Sequence, residues 1–417
     1  MGNLLYLVHR LPYPPNKGDK VRSYHLLKHL AKQHHVYLGT FVDDPADEAY
    51  VEVVRQFCRD SHIARLHPRI AKLRSLSGLL TQQALGLRYY RNAGLRSWVR
   101  QILVDQKIDA IVVFSSVMVQ YVDEMLDGNG PPVLIDFVDV DSAKWTQYAT
   151  KHSWPMSWLY GREGERLLGY ERQVAARAQH SFFVTENETT LFLKMAPECA
   201  KRVTSMSNGV DADYFSPDPA RISPFSLAVI REQLQPAEIP LVFTGAMDYW
   251  PNIDATIWFV SDILPALRKM WPQARFYIVG RSPSPSVLAL ASDSVVVTGT
   301  VPDIRPYLQH AAVVVAPLRV ARGIQNKLLE AMAMARPVVA TSSCVDAIDV
   351  HNGTEILSAG DAHDFVDKID TLLNAPAWAA LVGQSGRQRV VSSYSWPAHL
   401  SEIDRYLDVN PSERVSA

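Results

Sequence analysis

The sequence predicts an α/β protein made of two doubly wound, Rossmann-like domains in succession. Three observations carry the prediction. Short apolar runs alternate with helical segments along the whole chain, the pattern of parallel βαβ units. At 417 residues the chain is longer than one hydrophobic core usually serves. The rhythm also breaks once, at Ser207-Asn-Gly-Val-Asp-Ala-Asp-Tyr-Phe-Ser-Pro-Asp-Pro219, and then restarts.

In the first half, apolar, β-branched and aromatic runs predict strands at Asn3–Val8, His35–Phe41, His62–Leu66, Ala110–Phe114, Val133–Phe137, Ser181–Val184 and Val203–Ser205. Helical spacing predicts helices over Val21–Gln33, Asp47–Arg59, Gly94–Gln106 and Tyr160–Ala178. The break is rich in Pro, Asp and Ser and holds an Asn-Gly turn signal. Strands resume at Leu241–Gly245, Arg275–Val279, Val295–Thr298, Ala312–Ala316, Val338–Ala340 and Ile356–Leu357. Helices over Ile253–Met270, Asp303–His310, Gln325–Met334 and His363–Asn374 separate them. The expected division is a first domain over 1–207, a linker over 208–239 and a second domain over 240–394. An amphipathic helix within 395–417 is expected to return to the first domain.

Composition narrows the function. Hydrophobic residues at 47% and charged ones at 20% describe a globular chain. A net charge of −1 argues against a nucleic-acid partner, whose footprint is a basic excess. Cys58, Cys199 and Cys344 are odd in number and far apart, which fits a reducing cytoplasm with neither disulfides nor a zinc site. The chain enters a strand at Leu4 without the pattern of a signal peptide. No run approaches the ~20 apolar residues of a spanning helix. A soluble cytoplasmic protein is expected.

The most informative segment runs from Pro317 to Thr341. A strand leads through a loop to Gly323, then to a helix that Pro337 ends before the next strand. A strand, a glycine turn and a helix N-terminus form an anion site, because free N–H groups and the helix dipole point at one spot. Lys327 and Glu330 share a face of that helix. One can meet a phosphate, and the other can accept hydrogen bonds from sugar hydroxyls. The combination points to a sugar nucleotide.

Four segments then carry a resemblance to family 4 nucleotide-sugar glycosyltransferases. Ser207-Asn-Gly-Val-Asp211 with Phe215 resembles their interdomain turn, and Gly245-Ala-Met-Asp-Tyr-Trp-Pro-Asn252 their first donor-domain glycine loop. Val297-Thr-Gly-Thr-Val-Pro-Asp303 is similar to their base-recognition loop, and Gly323 to Pro337 to their glutamate helix. The resemblance implies the GT-B fold, two Rossmann-like domains facing a central cleft. It also implies transfer of a hexose, with retention, from a UDP- or GDP-linked sugar, without cofactor or metal. A narrower likeness joins Leu7 to Arg22 and Asp136 to Trp145 to sugar transferases of exosortase and PEP-CTERM systems, which implies exopolysaccharide biosynthesis.

Two departures stand out. Relatives carry a second glutamate eight residues before Glu330, where this chain has Arg322. Many also place Arg and Lys after the first donor-domain glycine, where this chain has Ala246-Met-Asp-Tyr-Trp-Pro-Asn252. Other groups must then neutralise the diphosphate, and Arg281, after a strand-ending glycine, competes with Arg322 for that task. The donor-binding set expected is Gly245, Asn252, Arg281, Thr300, Val301, Arg322, Gly323, Ile324, Gln325, Lys327 and Glu330, with Asp303 as a helix cap.

In the first domain, His9, Gly18, Asp19 and Arg22 follow the first strand and are expected on the acceptor side. Asp136 and Asp139 end another strand, again the ligand side, and either is placed to act as general base. With Lys327 they form the expected catalytic set. Asp136, Asp139 and Asp141 lack a binding-loop pattern, so no metal is expected. Residues 65–100 are basic and apolar without an acid, which suits contact with an anionic membrane and a polyprenyl-linked acceptor. The acceptor is otherwise a glycan, and the location cytoplasmic, peripheral on the inner face of the membrane. Two alternatives stay open: a sugar-nucleotide epimerase on the same fold, and a scaffold that binds nucleotide or lipid without turnover.

Overall fold

A computed structural model describes residues 2–15, 18–128, 130–225, 227–230, 233–236, 238–320 and 324–407. The chain divides into two compact units, one of Met1–Asn208 with His399–Ala417, the other of Gly209–Ala398.

The first unit is built on seven strands: β1 (Asn3–Val8), β2 (His35–Val42), β3 (Asp60–Arg65), β4 (Ala110–Phe114), β5 (Val133–Val138), β6 (His180–Phe183) and β7 (Val203–Ser205). They lie in the order β3-β2-β1-β4-β5-β6-β7 and every pairing is parallel. The order reverses between β1 and β4, the topological switch where open α/β sheets bind ligands. Helices cover both faces, so the central strands are continuous apolar runs; Leu5, Tyr6, Leu7 and Val8 are all fully buried. Two helices, Asp141–Lys151 and Met156–Arg177, form a hairpin beside this sheet. A Cβ on Gly164 would come within 2.6 Å of Thr146 Oγ1 and 3.0 Å of the Ser142 carbonyl, so glycine sets how closely the two helices approach.

The last helix, Trp396–Leu407, joins this unit. Leu400 and Ile403 are fully buried. His29 Nε2 lies 2.9 Å from Asp404 Oδ1, and the His180 ring stacks on Tyr406 with centroids 4.0 Å apart.

The second unit opens with an antiparallel pair, β8 (Leu227–Ile230) and β9 (Gln233–Pro236), inside the stretch expected to be linker. Its main sheet carries β10 (Ile239–Thr244), β11 (Ala274–Val279), β12 (Val295–Gly299), β13 (Val313–Ala316), β14 (Val338–Thr341) and β15 (Leu357–Ala359). Their order, β12-β11-β10-β13-β14-β15, is again all parallel, with its switch between β10 and β13. The helix expected over Ile253–Met270 starts at Trp250 and passes through a π turn at Phe259–Ile263.

The chain leaves the first unit at Asn208 and returns at His399. Just inside the second unit the outgoing and returning segments run side by side. The Val210 N–H donates to the Tyr394 carbonyl at 2.7 Å, and the Trp396 N–H to the Val210 carbonyl at 3.3 Å. A Cβ on Gly209 would lie 2.3 Å from the Trp396 nitrogen, so only glycine fits there.

Candidate functional site

In the second unit, the C-terminal ends of β10 and β11, the loop after β12 and the helix Asn326–Ala333 border an open cavity of about 390 Å³. Its lining is Thr244, Gly245, Ala246, Gly280, Arg281, Thr300, Val301, Ile304, Lys327 and Glu330. Six residues expected from the sequence to bind donor thus come together: Gly245, Arg281, Thr300, Val301, Lys327 and Glu330.

Backbone crowding explains the glycines at the strand ends. A Cβ on Gly280 would fall 1.6 Å from the Gly245 carbonyl oxygen, an impossible overlap with main chain. A Cβ on Gly245 would sit 2.7 Å from Asn252 Nδ2 and 3.1 Å from Lys327 Nζ. The two strand ends therefore touch backbone to backbone, and the floor of the cavity is peptide.

Lys327 is fixed from two sides. Its ammonium donates to Asn252 Oδ1 at 2.6 Å and lies 4.4 Å from the Phe243 ring centroid. Asn252 is itself buried, and its Nδ2 donates to the Ala246 carbonyl at 2.9 Å. The carboxamide thus ties the glycine loop to the lysine. Burial pushes the Lys327 ammonium down to about 8, against the opposing influence of Cys344 and Glu330. Burial likewise pushes the Glu330 carboxyl up to about 6, against the charge of Lys327. A proton donor and a carboxylate poised on either side of neutrality share one small cavity.

Gln325 and Asn252 line a second cavity of about 390 Å³ with Tyr249, Trp250, Pro251, Leu318 and Val320. Ile324 beside them is exposed. Arg322 and Gly323 lie outside the described residues. Asp303 accepts from the Arg305 N–H at 2.9 Å and grips its guanidinium at 2.8 Å, although the helix begins only at Arg305.

The first unit corrects two expectations. Arg22 and Asp136 do not face an acceptor: their side chains are wholly buried and form a two-pronged ion pair at 2.7 and 3.1 Å. Arg22 also donates to Asn208 Oδ1 at 2.9 Å, so it ties the first helix, the end of β5 and the chain exit together. A carboxylate held this way cannot approach an acceptor hydroxyl. Gly18 is exposed at its helix start with nothing within 4 Å of an added Cβ, so no close approach requires glycine there.

The other candidates stay at the ligand edge of β1 and β5. Asp19 meets Arg10 at 2.7 Å and His9 at 3.5 Å. Burial opposes its charge, but the hydrogen bond to His9 and the charge of Arg10 hold its carboxyl well below the usual range. His9 stacks on Phe114, and its Nδ1 is buried without a hydrogen-bond partner. Asp139, half-buried, pairs with Lys144 at 2.7 Å. Ser115 (φ 74°) and Val138 (φ 69°) hold left-handed backbone at the ends of adjacent strands, and neither was marked by its residue type.

Two doubly wound parallel units, the second with a peptide-floored cavity at its switch point, define the GT-B class. Residues 238–375 match the family model for "Glycosyl transferases group 1". No curated protein matches the chain significantly. Among solved structures, HepE of Anabaena is 15% identical over 98% of this chain and 99% of its own, with a TM-score of 0.59. A glycosyltransferase of Rickettsia africae is 13% identical over 100% and 99%, with a TM-score of 0.58. Sucrose-phosphate synthase of Thermosynechococcus elongatus is 18% identical over 97% and 98%, with a TM-score of 0.56. At such identities these structures establish the fold, and the matched segment covers the whole cavity lining. The chain has the GT-B fold, and residues 238–375 of its second unit are similar to group 1 glycosyl transferases.

Among the described residues, no helix is long and apolar enough to cross a membrane. None of their His, Cys, Asp and Glu side chains group in threes to hold a metal ion.

Proposed function

We propose that the protein transfers a hexose, with retention, from a UDP-linked sugar to a glycan or lipid-linked acceptor. The observation that carries the donor half is the cavity in which Lys327 and Glu330 face the peptide floor of Gly245 and Gly280. In this reading Lys327 and Arg281 neutralise the diphosphate, Glu330 accepts from sugar hydroxyls, and Thr300 and Val301 border the base. Ile324 and Gln325 are assigned to the donor side with them, as are Arg322 and Gly323 from the sequence alone. The choice of UDP is supported by the structures of HepE in complex with UDP and with UDP-glucose.

In this reading Asp139 serves as the acceptor-side carboxylate, and His9 and Asp19, at the ligand edge of β1, also belong to the acceptor side. In this reading the resemblance of segments 7–22 and 136–145 supports work in exopolysaccharide assembly alongside exosortase systems, and the basic, apolar stretch 65–100 supports a place at the inner face of a cell membrane.

The test is a melting panel with UDP-, GDP-, ADP- and TDP-sugars. A ligand at 100 times its Kd stabilises a fold by about 2.7 kcal/mol. A UDP-sugar is expected to raise the melting temperature, and Glu330→Ala to abolish the rise while melting cooperatively. Indifference to every nucleotide sugar would overturn the donor assignment.

A further inference from the structure

The helix Pro68–Ser75 in the first unit faces the wrong way for a core helix. It buries only Ala71 and Ser75 and leaves Leu73 72% exposed, with Ile70 also outward. Leu76, Leu79 and Leu80 come next, and Leu80 is 91% exposed. A second segment joins them. Arg162 donates to the carbonyls of Gly78 (2.7 Å) and Thr81 (2.6 Å), and buried Glu163 accepts from the N–H groups of Leu85 and Gly86. Those bonds hold the start of the helix Met156–Arg177 against residues 76–86. Trp158, one turn before Arg162, is half in solvent, and Trp154 is 80% exposed.

Between the two segments lies a mostly apolar cavity of about 440 Å³, walled by Leu76, Leu85, Trp145, Met156, Leu159 and Tyr160. That volume is in the range of pockets that hold small ligands. The charge pattern selects the occupant. Residues 61–104 contain no Asp or Glu, and neither do 142–162. Arg69, Lys72 and Arg74 alternate with Ile70 and Leu73 on the outward helix, all of them exposed. Exposed leucine and tryptophan stand among cations, and the acid on the cavity wall, Glu163, is buried and taken up by the Leu85 and Gly86 N–H groups, which matches the boundary between anionic headgroups and acyl chains.

We infer that this face docks on an anionic lipid bilayer and that the cavity takes one hydrocarbon chain from it. The inference stands on the first unit and rests on the proposed function only for the use made of the lipid, as acceptor or as anchor beside it.

The experiment is co-sedimentation of the full chain with vesicles of phosphatidylcholine alone or with about 30% phosphatidylglycerol. Binding is expected to rise at least about tenfold with the anionic lipid and to persist in part at about 0.5 M salt. Brominated acyl chains are expected to quench tryptophan emission, less so in Trp158→Phe at the surface and in Trp145→Phe at the cavity wall. The variant Leu73→Gln/Leu80→Gln/Trp154→Gln should lose binding, while Leu381→Gln, an exposed leucine of the second unit, should keep it.

Absence of binding to the anionic vesicles overturns the inference. So does binding that the triple variant retains, or binding that salt removes entirely without quenching. Self-association that only the triple variant loses would assign the face to a second copy of the chain, which also overturns it. The melting response to UDP-glucose is recorded on every variant. A response without vesicle binding sinks this inference alone, and vesicle binding without a response sinks the donor assignment alone.

Discussion

The affinity for a UDP-sugar should pass through a maximum near neutral pH, with each limb owned by one side chain. Lys327 must be charged to meet a diphosphate, and burial has brought it down to about 8. Its contribution is therefore present below pH 8 and is lost as the pH rises through that value. Glu330 must be ionised to accept from hydroxyls, and burial has raised it to about 6. Its contribution is present above pH 6 and fades below. One pH unit past either value leaves about a tenth of the group in its working form, a tenfold loss of affinity or about 1.4 kcal/mol. UDP-glucose is the ligand to use, because its diphosphate is esterified at both ends and does not titrate between the two limbs. Titration calorimetry from pH 5 to pH 9 at constant ionic strength would give both limbs. In buffers of different ionisation enthalpy it would also show proton uptake near pH 8 as the ligand recharges the lysine. Lys327→Met should weaken binding and flatten only the alkaline limb, and Glu330→Gln only the acid one. If the alkaline limb survives in Lys327→Met, the lysine is not the group that meets the phosphates.

Three further outcomes are expected from the geometry. Asp136→Ala should cost about 3–5 kcal/mol of stability by urea unfolding, since it strands the buried Arg22; an activity loss without a stability loss would restore Asp136 as a base. Glu171, buried against Ser142 at 2.5 Å, is pushed by burial from 4.5 up to about 8. Its folded value lies above the unfolded one, so stability should decline between those values as the pH rises, by at most about 1.4 kcal/mol per unit. Glu171→Gln should remove that slope, and equal slopes in both proteins would refute the assignment. Gly280→Ala should lose both nucleotide binding and cooperative melting of the second unit, because its Cβ collides with main chain; normal melting and binding would show that the strand ends can part.

The strands were legible because parallel sheets covered on both faces demand unbroken apolar runs, as in β1 and in Val313–Ala316. The helix Pro376–Arg389 was not, because Ala, Gly and Gln form no stripe across it. The hairpin of β8 and β9 was hidden in a segment read for its turn residues. At the site, the glycine loop and the Lys327–Glu330 spacing are local signals, and the sequence displays them. What it does not display is who holds whom. Asp136 stands at a strand end like a general base, but the arginine that neutralises it lies 114 positions away. Asn252 is marked in the sequence only as a member of the glycine loop's motif, and its bond to Lys327, 75 positions on, is visible only in the fold.

The path of the chain gives the two units different histories. The second occupies the unbroken stretch Gly209–Ala398, whereas the first is finished only by the segment from His399 onward. On a ribosome the part begun first is thus the part completed last. The surface around His29 and His180 must wait uncovered for Asp404 and Tyr406 while the whole second unit is made. The second unit can form its cavity before that moment, so the closing helix acts as a late clasp on the other half. Its loss would spare the cavity of the second unit and strike the unit that had been synthesised first.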